Sequence, residues 1–255
     1  MRIISFCADG IREAAKLGFY DWVLGQDADI ICVQNLKAQE YDLQEDIFFP
    51  QGYNPYFFDS VAKNSNGVAI YCREMPKAIM TGLGFMDYDM EGRYIQADFQ
   101  NISVGCLLAP SAYNGDNAAK AHKKQFFDLF YAHLTKVRNK RREFVICGNW
   151  NMTHSANDLQ DPKANHNSSG ALPEEQQWMD ELLSNTGYVD AFREVNNDND
   201  EFTWWPDNIP GSNGWRIDYQ IVSSGLKSAI EYGAIYKKQA FSSHAPLIMD
   251  YDYEM

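Results

Sequence analysis

At 255 residues, with 45% apolar and 14% aromatic content, the chain has ample material for a large core, and wholesale disorder is excluded. No apolar stretch reaches the roughly 18 residues of a membrane span, and Met1–Ser5 reads as a strand, not a signal peptide, so a cytoplasmic protein is expected. A formal net charge of −13 weighs against solitary nucleic-acid binding, which draws most of its affinity from Lys and Arg on phosphates.

In chain order, β-branched and aromatic runs predict strands at Arg2–Phe6, Asp29–Val33, Gly67–Cys72, Tyr94–Phe99, Ile102–Leu108, Phe144–Cys147, Ile217–Val222 and Leu247–Asp250. Several of these runs are continuously apolar, as strands buried on both faces are. Helices are expected between them. Ile11–Leu24 is amphipathic, Asn117–Asn139 carries Phe126, Phe130, Leu134 and Val137 on one stripe, and Pro173–Thr186 opens on Pro and two glutamates and stops at Gly187. Polar stretches at His154–Gly170, Asn196–Asp200 and Asp207–Gly214 read as loops. Strands interleaved with helices, and no Pro/Gly/Ser-rich linker, predict one α/β domain over residues 1–255.

The five cysteines (Cys7, Cys32, Cys72, Cys106, Cys147) sit in or beside apolar runs, none in a CxxC pair, so buried free thiols in a reducing compartment are expected. His154 and His166 lie in a polar loop and read as solvated. Charge is uneven. From Lys120 to Arg142 there are eight Lys or Arg against the single acid Asp128. The run Lys136, Arg138, Lys140, Arg141 and Arg142 is the candidate contact for RNA or a partner, although cations closing a helix also simply favour its dipole.

The chain also carries a set of short signatures in a fixed order. They are Ser5-Phe6-Cys7-Ala8-Asp9-Gly10, then Gln34-Asn35, Gly148-Asn149-Trp150-Asn151, Arg216-Ile217-Asp218, and Ser242-Ser243-His244-Ala245-Pro246. In order and spacing they resemble the endonuclease/exonuclease/phosphatase superfamily, particularly its exonuclease III-like branch. The resemblance implies a four-layered α/β sandwich of two packed mixed β-sheets flanked by helices, with the site loops at one end. The family pattern asks for Asn at position 7, Glu at 35, Tyr at 108, and Asp at 149 and 243. This chain has Cys7, Asn35, Leu108, Asn149 and Ser243, and keeps Asn151, Asp218 and His244. Positions 35 and 243 are where the family holds its metal with carboxylates, since Mg²⁺ demands hard oxygen ligands. Position 149 is its water-orienting base, a role closed to an amide near neutral pH. These eight positions therefore read as a vestigial site with no metal, no cofactor and no enzymatic activity. Asp218 and His244 would then serve to tie two strand ends together. Trp204, Trp205 and Trp215 fall where the nucleases build part of an abasic-site pocket, with core packing as the plainer reading.

Further stretches, among them Gly92-Arg93-Tyr94, Lys140-Arg141-Arg142-Glu143, Trp204-Trp205-Pro206-Asp207 and Asp218-Tyr219-Gln220, resemble the bacterial catabolite repression control proteins, a degenerate offshoot of the superfamily. That resemblance implies a non-catalytic co-repressor of translation that joins the Sm-like RNA chaperone Hfq and A-rich mRNA in a ternary complex, with weak or no RNA binding alone. Two alternatives stay open: a metal-dependent phosphodiesterase or abasic-site nuclease, and a pseudo-nuclease that binds damaged DNA.

Overall fold

The computed structural model of the protein describes residues 1–138, 140–207 and 212–255. Part of the expected loop Asp207–Gly214, and Asn139 at the end of the expected long helix, lie outside the described residues.

In chain order the elements are β1 (Arg2–Cys7), α1 (Ile11–Lys16), α2 (Phe19–Leu24), β2 (Ile30–Gln34), β3 (Asn54–Phe58), β4 (Val68–Cys72), β5 (Ala78–Thr81), α3 (Met86–Asp89), β6 (Tyr94–Asp98) and β7 (Ile102–Leu108). They continue with α4 (Asn117–Val137), β8 (Glu143–Asn149), α5 (Pro162–Asn165), α6 (Pro173–Thr186), β9 (Tyr188–Asp190), α7 (Ala191–Val195), β10 (Asp218–Ser223), β11 (Ile230–Ile235) and β12 (Leu247–Tyr251). The strands form two six-stranded mixed sheets, ordered β11-β12-β1-β2-β4-β3 and β5-β6-β7-β8-β10-β9. Within each sheet one pair is parallel, β1 with β2 and β7 with β8, and each of these pairs is joined through helices.

The two faces of each sheet explain the continuous apolar runs. In β1 and β2, Ile3, Ile30 and Cys32 point between the sheets, while Ile4, Phe6, Ile31 and Val33 point outward under Phe19, Tyr20 and Val23 of α2. The second sheet repeats the arrangement. Val104, Cys106 and Val145 face inward, and Leu107, Phe144 and Ile146 face Phe126, Phe130 and Leu134 of α4 and Met179 and Leu182 of α6. With both faces covered, a strand has no place for the polar half of an alternating pattern. The architecture is the α/β sandwich of two mixed sheets flanked by helices that the resemblance implied.

Two sequence expectations need correction. Ile11–Leu24 is not one helix, because Gly18 adopts a left-handed φ of +88° and turns the chain between α1 and α2. The long helix α4 ends at Val137, and Asp116 caps its start, its carboxylate accepting from the Ala119 amide at 2.9 Å. No described helix is long and apolar enough to cross a membrane.

Candidate active site

The sheet register gathers the signature positions at one end of the sandwich. Cys7, Leu108 and Asn149 are the last residues of β1, β7 and β8, and Asn35 follows directly on β2. Strand β10 runs antiparallel to β8 and pairs its first residue, Asp218, with Asn149. Strand β12 runs antiparallel to β1, so Ser243 and His244, just before it, reach the same end. Gly148 sets the aim of Asn149. Its φ is +145°, and a Cβ there would stand 1.9 Å from the Leu107 carbonyl oxygen. Asn35 and Asn151 also hold positive φ, at 56° and 53°, a conformation Asn tolerates better than most residues.

Together these ends enclose a cleft of about 330 Å³. On its floor the Asn151 amide donates to Asn149 Oδ1 at 2.8 Å, and Asn151 Nδ2 donates to the Ala109 carbonyl at 2.7 Å. Lys123, only 2% exposed, reaches under this turn from α4: its Nζ donates to the Asn151 carbonyl at 2.6 Å and pairs with Glu175 at 2.5 Å. On one wall Asn35 Nδ2 donates to Asp9 at 2.8 Å, and Lys37 bridges the same carboxylate at 2.6 Å. Arg93 enters from just before β6, pairing with Glu91 and donating to the Leu108 carbonyl at 3.2 Å. Leu108 itself is buried and offers the cleft no hydrogen-bonding group from its side chain.

The opposite wall is His244, whose Nδ1 meets Asp218 Oδ2 at 2.8 Å with both residues almost fully buried. Burial alone would push this imidazole down. The Asp218 charge, and hydrogen bonds to Asp218 and Cys7, outweigh burial and raise it well above its ordinary 6.5, which favours the protonated ring. Asn149 Nδ2 lies 3.6 Å from Cys7 Sγ. Trp204 stacks on His244 with ring centroids 6.0 Å apart. Trp205 and Trp215 are 6% and 1% exposed and belong to the packing, so of the tryptophan set only Trp204 lines the cleft. His154, expected to be solvated, bonds Asp180 at 2.7 Å.

The chemistry of this arrangement differs from a carboxylate-lined metal site. Of the two carboxylates near the floor, Asp9 is engaged by Lys37 and Asn35, and Asp218 by His244. Asn35, Asn149 and Ser243 are neutral. Such a donor set does not fit a hard divalent cation of the Mg²⁺ kind, which needs several close anionic or carbonyl oxygens. It does fit an anion. At about 4 Å and an effective dielectric near 20, each carboxylate replaced by a neutral group removes about 4 kcal/mol of repulsion toward a bound phosphate.

The expected RNA or partner contacts are not brought to this cleft. Lys136, Arg138, Lys140, Arg141 and Arg142 cluster where α4 ends and β8 begins, and β8 then runs about 20 Å to the cleft. Part of the surrounding positive charge is also neutralised: Arg142 pairs with Asp98 at 2.8 Å, Lys124 with Asp128 at 2.6 Å, and Lys123 is the buried partner of Glu175. Conversely, the cleft is also lined by Asp9, Asn66, Arg93 and Ser111, which no motif or spacing had singled out as cleft residues. Asp9 and Arg93 stood inside quoted signatures, but no spacing rule distinguished a cleft arginine from a structural one.

Comparison with known proteins decides the family. The model of the Endonuclease/Exonuclease/phosphatase family matches residues 9–233. The chain belongs to that family. It is similar to the exodeoxyribonuclease of Bacillus subtilis, with 31% identity covering 97% of this chain and 98% of the relative. It is also similar to the DNA repair nuclease APEX1 of Danio rerio, with 33% identity covering 98% of this chain and 81% of that protein. Among solved structures, an AP endonuclease from Archaeoglobus fulgidus superposes with a TM-score of 0.89 at 25% identity, covering 99% of this chain and all of that one.

These relatives overturn the expectation of a non-catalytic co-repressor of catabolite repression acting with Hfq on A-rich mRNA, and with it the expectation that the chain is not an enzyme. Similarity spans nearly the whole chain, and the relatives are named for cutting DNA. The inference from missing carboxylates to a new regulatory role treated a changed donor set as a lost function, which does not follow from the substitutions alone.

Proposed function

We propose that this chain is a DNA phosphodiesterase acting at abasic sites or strand ends, and that its cleft grips the phosphodiester directly through neutral and cationic donors. The observation that carries this reading is the donor set itself: the Asn35, Asn149 and Asn151 amides, the Ser111 and Ser243 hydroxyls, Arg93 and the His244 imidazolium surround one 330 Å³ cleft. The names of its relatives supply the substrate class.

In this reading a phosphate sits where the removed carboxylates would have repelled it. Hydrogen bonds from charged donors to phosphate oxygens are the stronger kind, so Arg93 and His244 orient it, and the amides fill the remaining directions. His244 holds a proton at the ring that it can deliver to a phosphate oxygen as negative charge develops, and Asp218 fixes that ring. Trp204, stacked on His244, offers an aromatic face to a base or an exposed sugar. Asn149 cannot take a proton from water, so hydrolysis proceeds without that assistance and is slower by about 10²–10⁴-fold than with a carboxylate there. An acidic body with few free cations near the cleft keeps the DNA contact short.

The test uses excess protein and a duplex bearing one tetrahydrofuran abasic analogue, with binding and strand scission followed separately. Preferred binding to the abasic duplex, scission that falls in His244→Gln, and scission that rises at least about 10²-fold in Asn149→Asp are the expected results. Equal binding to intact duplex would overturn the proposal, as would scission indifferent to both substitutions.

A further inference from the structure

Cys7 stands apart from the other four cysteines. Cys32, Cys72, Cys106 and Cys147 face the space between the sheets, and burial pushes the thiols of Cys32, Cys72 and Cys106 up, that of Cys72 to about 12. Cys7 ends β1 buried beneath the cleft, next to its lining residue Asn149. Its Sγ, a carboxylate oxygen of Asp218 and a ring nitrogen of His244 all lie within 4.8 Å of one another, and among the described residues no other group of His, Cys, Asp or Glu converges this way.

A second observation concerns Asp218. One of its oxygens, Oδ2, takes the His244 ring, while Oδ1 is buried without a hydrogen-bond partner, in a residue only 2% exposed. A carboxylate oxygen sealed from water and left unpaired is costly, and a cation beside it removes the cost.

We propose that Cys7, Asp218 and His244 form a binding site for a borderline-soft divalent cation of the zinc class, set beneath the cleft. A thiolate, an imidazole nitrogen and a carboxylate oxygen are the three donor types zinc takes, at bond lengths of about 2.0–2.3 Å, whereas Mg²⁺ and Ca²⁺ decline sulfur. Tetrahedral bonds of this length set donors roughly 3.3–3.7 Å apart, so the spacings to Cys7, up to 4.8 Å, close by up to about 1 Å while the 2.8 Å His244–Asp218 pair opens slightly, within reach of side-chain rotation at strand ends. The charges balance. A divalent ion, a thiolate, a carboxylate and a neutral imidazole sum to zero, so the buried site carries no net charge. The thiol proton and the second imidazole proton leave to solvent on binding. Asn149, whose Nδ2 already lies beside Cys7 Sγ, borders the open fourth position. This site is separate from the positions of Asn35 and Ser243, which contribute no ligand to it, and because its occupation takes the second ring proton of His244, a bound cation excludes the proton delivery proposed above.

Cobalt(II) is the probe, added to the metal-free full-length chain. The expected result is one saturable cobalt per chain, with a thiolate-to-cobalt charge-transfer band in the near ultraviolet and intense tetrahedral visible bands, both abolished by zinc. Cys7→Ser removes the charge-transfer band and lowers affinity by at least about 100-fold, since a lost ligand costs no less than a lost outer-shell partner. Cys7→Asn, which keeps a polar group of similar size, gives the same loss should the serine variant fold poorly. X-ray absorption on the cobalt-loaded wild type reads one sulfur scatterer per metal. No stoichiometric binding, a charge-transfer band that survives in both Cys7 variants, or a metal surrounded only by nitrogen and oxygen would each overturn the proposal.

Discussion

Asp158→Asn removes one charge from a network that the fold has sealed. Asp158 is fully buried, and Arg216 is 1% exposed. Arg216 Nε reaches Asp158 Oδ1 at 2.7 Å, Arg193 reaches the same oxygen at 3.0 Å, and the backbone amides of His154 and Ser155 donate to Oδ2 at 3.0 and 3.2 Å. Breaking a buried pair from one side leaves the other charge uncompensated, at a cost of about 3–5 kcal/mol. Arg216 keeps Asp190 at 2.8 Å, and an asparagine oxygen still accepts, so the lower end, about 3 kcal/mol, is expected. For a chain of this size that is a fall in Tm of roughly 6–12 °C by calorimetry. The pH dependence supplies a second check. Burial by itself would raise the Asp158 carboxyl, but Arg216 and Arg193 outweigh it and hold the group below its ordinary range. Its stabilising contribution is therefore complete above the unfolded value of about 3.9 and is lost as pH falls through the lower folded value. The gap between wild type and variant should stay constant from pH 7 to pH 5 and close only under strongly acid conditions. A gap below about 1 kcal/mol at pH 7, or one that closes between pH 7 and 5, would refute the reasoning.

Two further outcomes follow from the same kind of argument. Gly148→Ala sets a Cβ 1.9 Å from the Leu107 carbonyl oxygen at φ +145°, so it should cost more than about 4 kcal/mol or prevent folding, and a soluble variant melting within a few degrees of wild type would count against the close approach. Lys123→Met leaves Glu175 without its buried cation and frees the Asn151 carbonyl, so it should destabilise by about 3 kcal/mol, while Lys123→Met with Glu175→Met should lose distinctly less than the two single changes together. Urea denaturation reads that coupling, and strict additivity would show that the pair does not act as one unit.

Which strands were legible in the sequence has a physical pattern. The eight expected strands correspond to β1, β2, β4, β6, β7, β8, β10 and β12, which are the interior strands of the two sheets. The four passed over, β3, β5, β9 and β11, are the four edges. Interior strands are covered on both faces and both sides, so Ile30–Val33 and Val68–Cys72 are apolar throughout. Edge strands are released from that demand: Asn54–Phe58 opens on Asn-Pro, Ala78–Thr81 is largely exposed, and Ile230–Ile235 carries a register shift between Ile230 and Tyr232.

The site was legible in part for a related reason. Signature residues at the ends of interior strands inherit their placement from the sheet, so Cys7, Asn149, Asp218 and His244 converge as their order implied. Arg93, which lines the cleft, is held by Glu91, and Asp9, which also lines it, by Lys37; no periodicity announces such pairs. The basic run from Lys136 to Arg142 lies where α4 ends and β8 begins, the end of β8 away from the cleft, a placement that its charge count could not specify.

The placement of β12 bears on how the protein is made. This strand lies between β1 and β11, and the register that sets Arg2 opposite Asp250 closes a contact between residues 250 apart, Met1 and Tyr251. During synthesis at about 5–20 residues per second, Ile3–Phe6 is made roughly 12–50 s before the neighbour that completes its hydrogen bonding. For that interval the middle of the first sheet is a bare ladder of amides and carbonyls. His244, which arrives with β12, joins the cleft only when the ladder closes. The wall that His244 gives the cleft is therefore in place only once residues up to Tyr251 have been made and β12 has paired with β1.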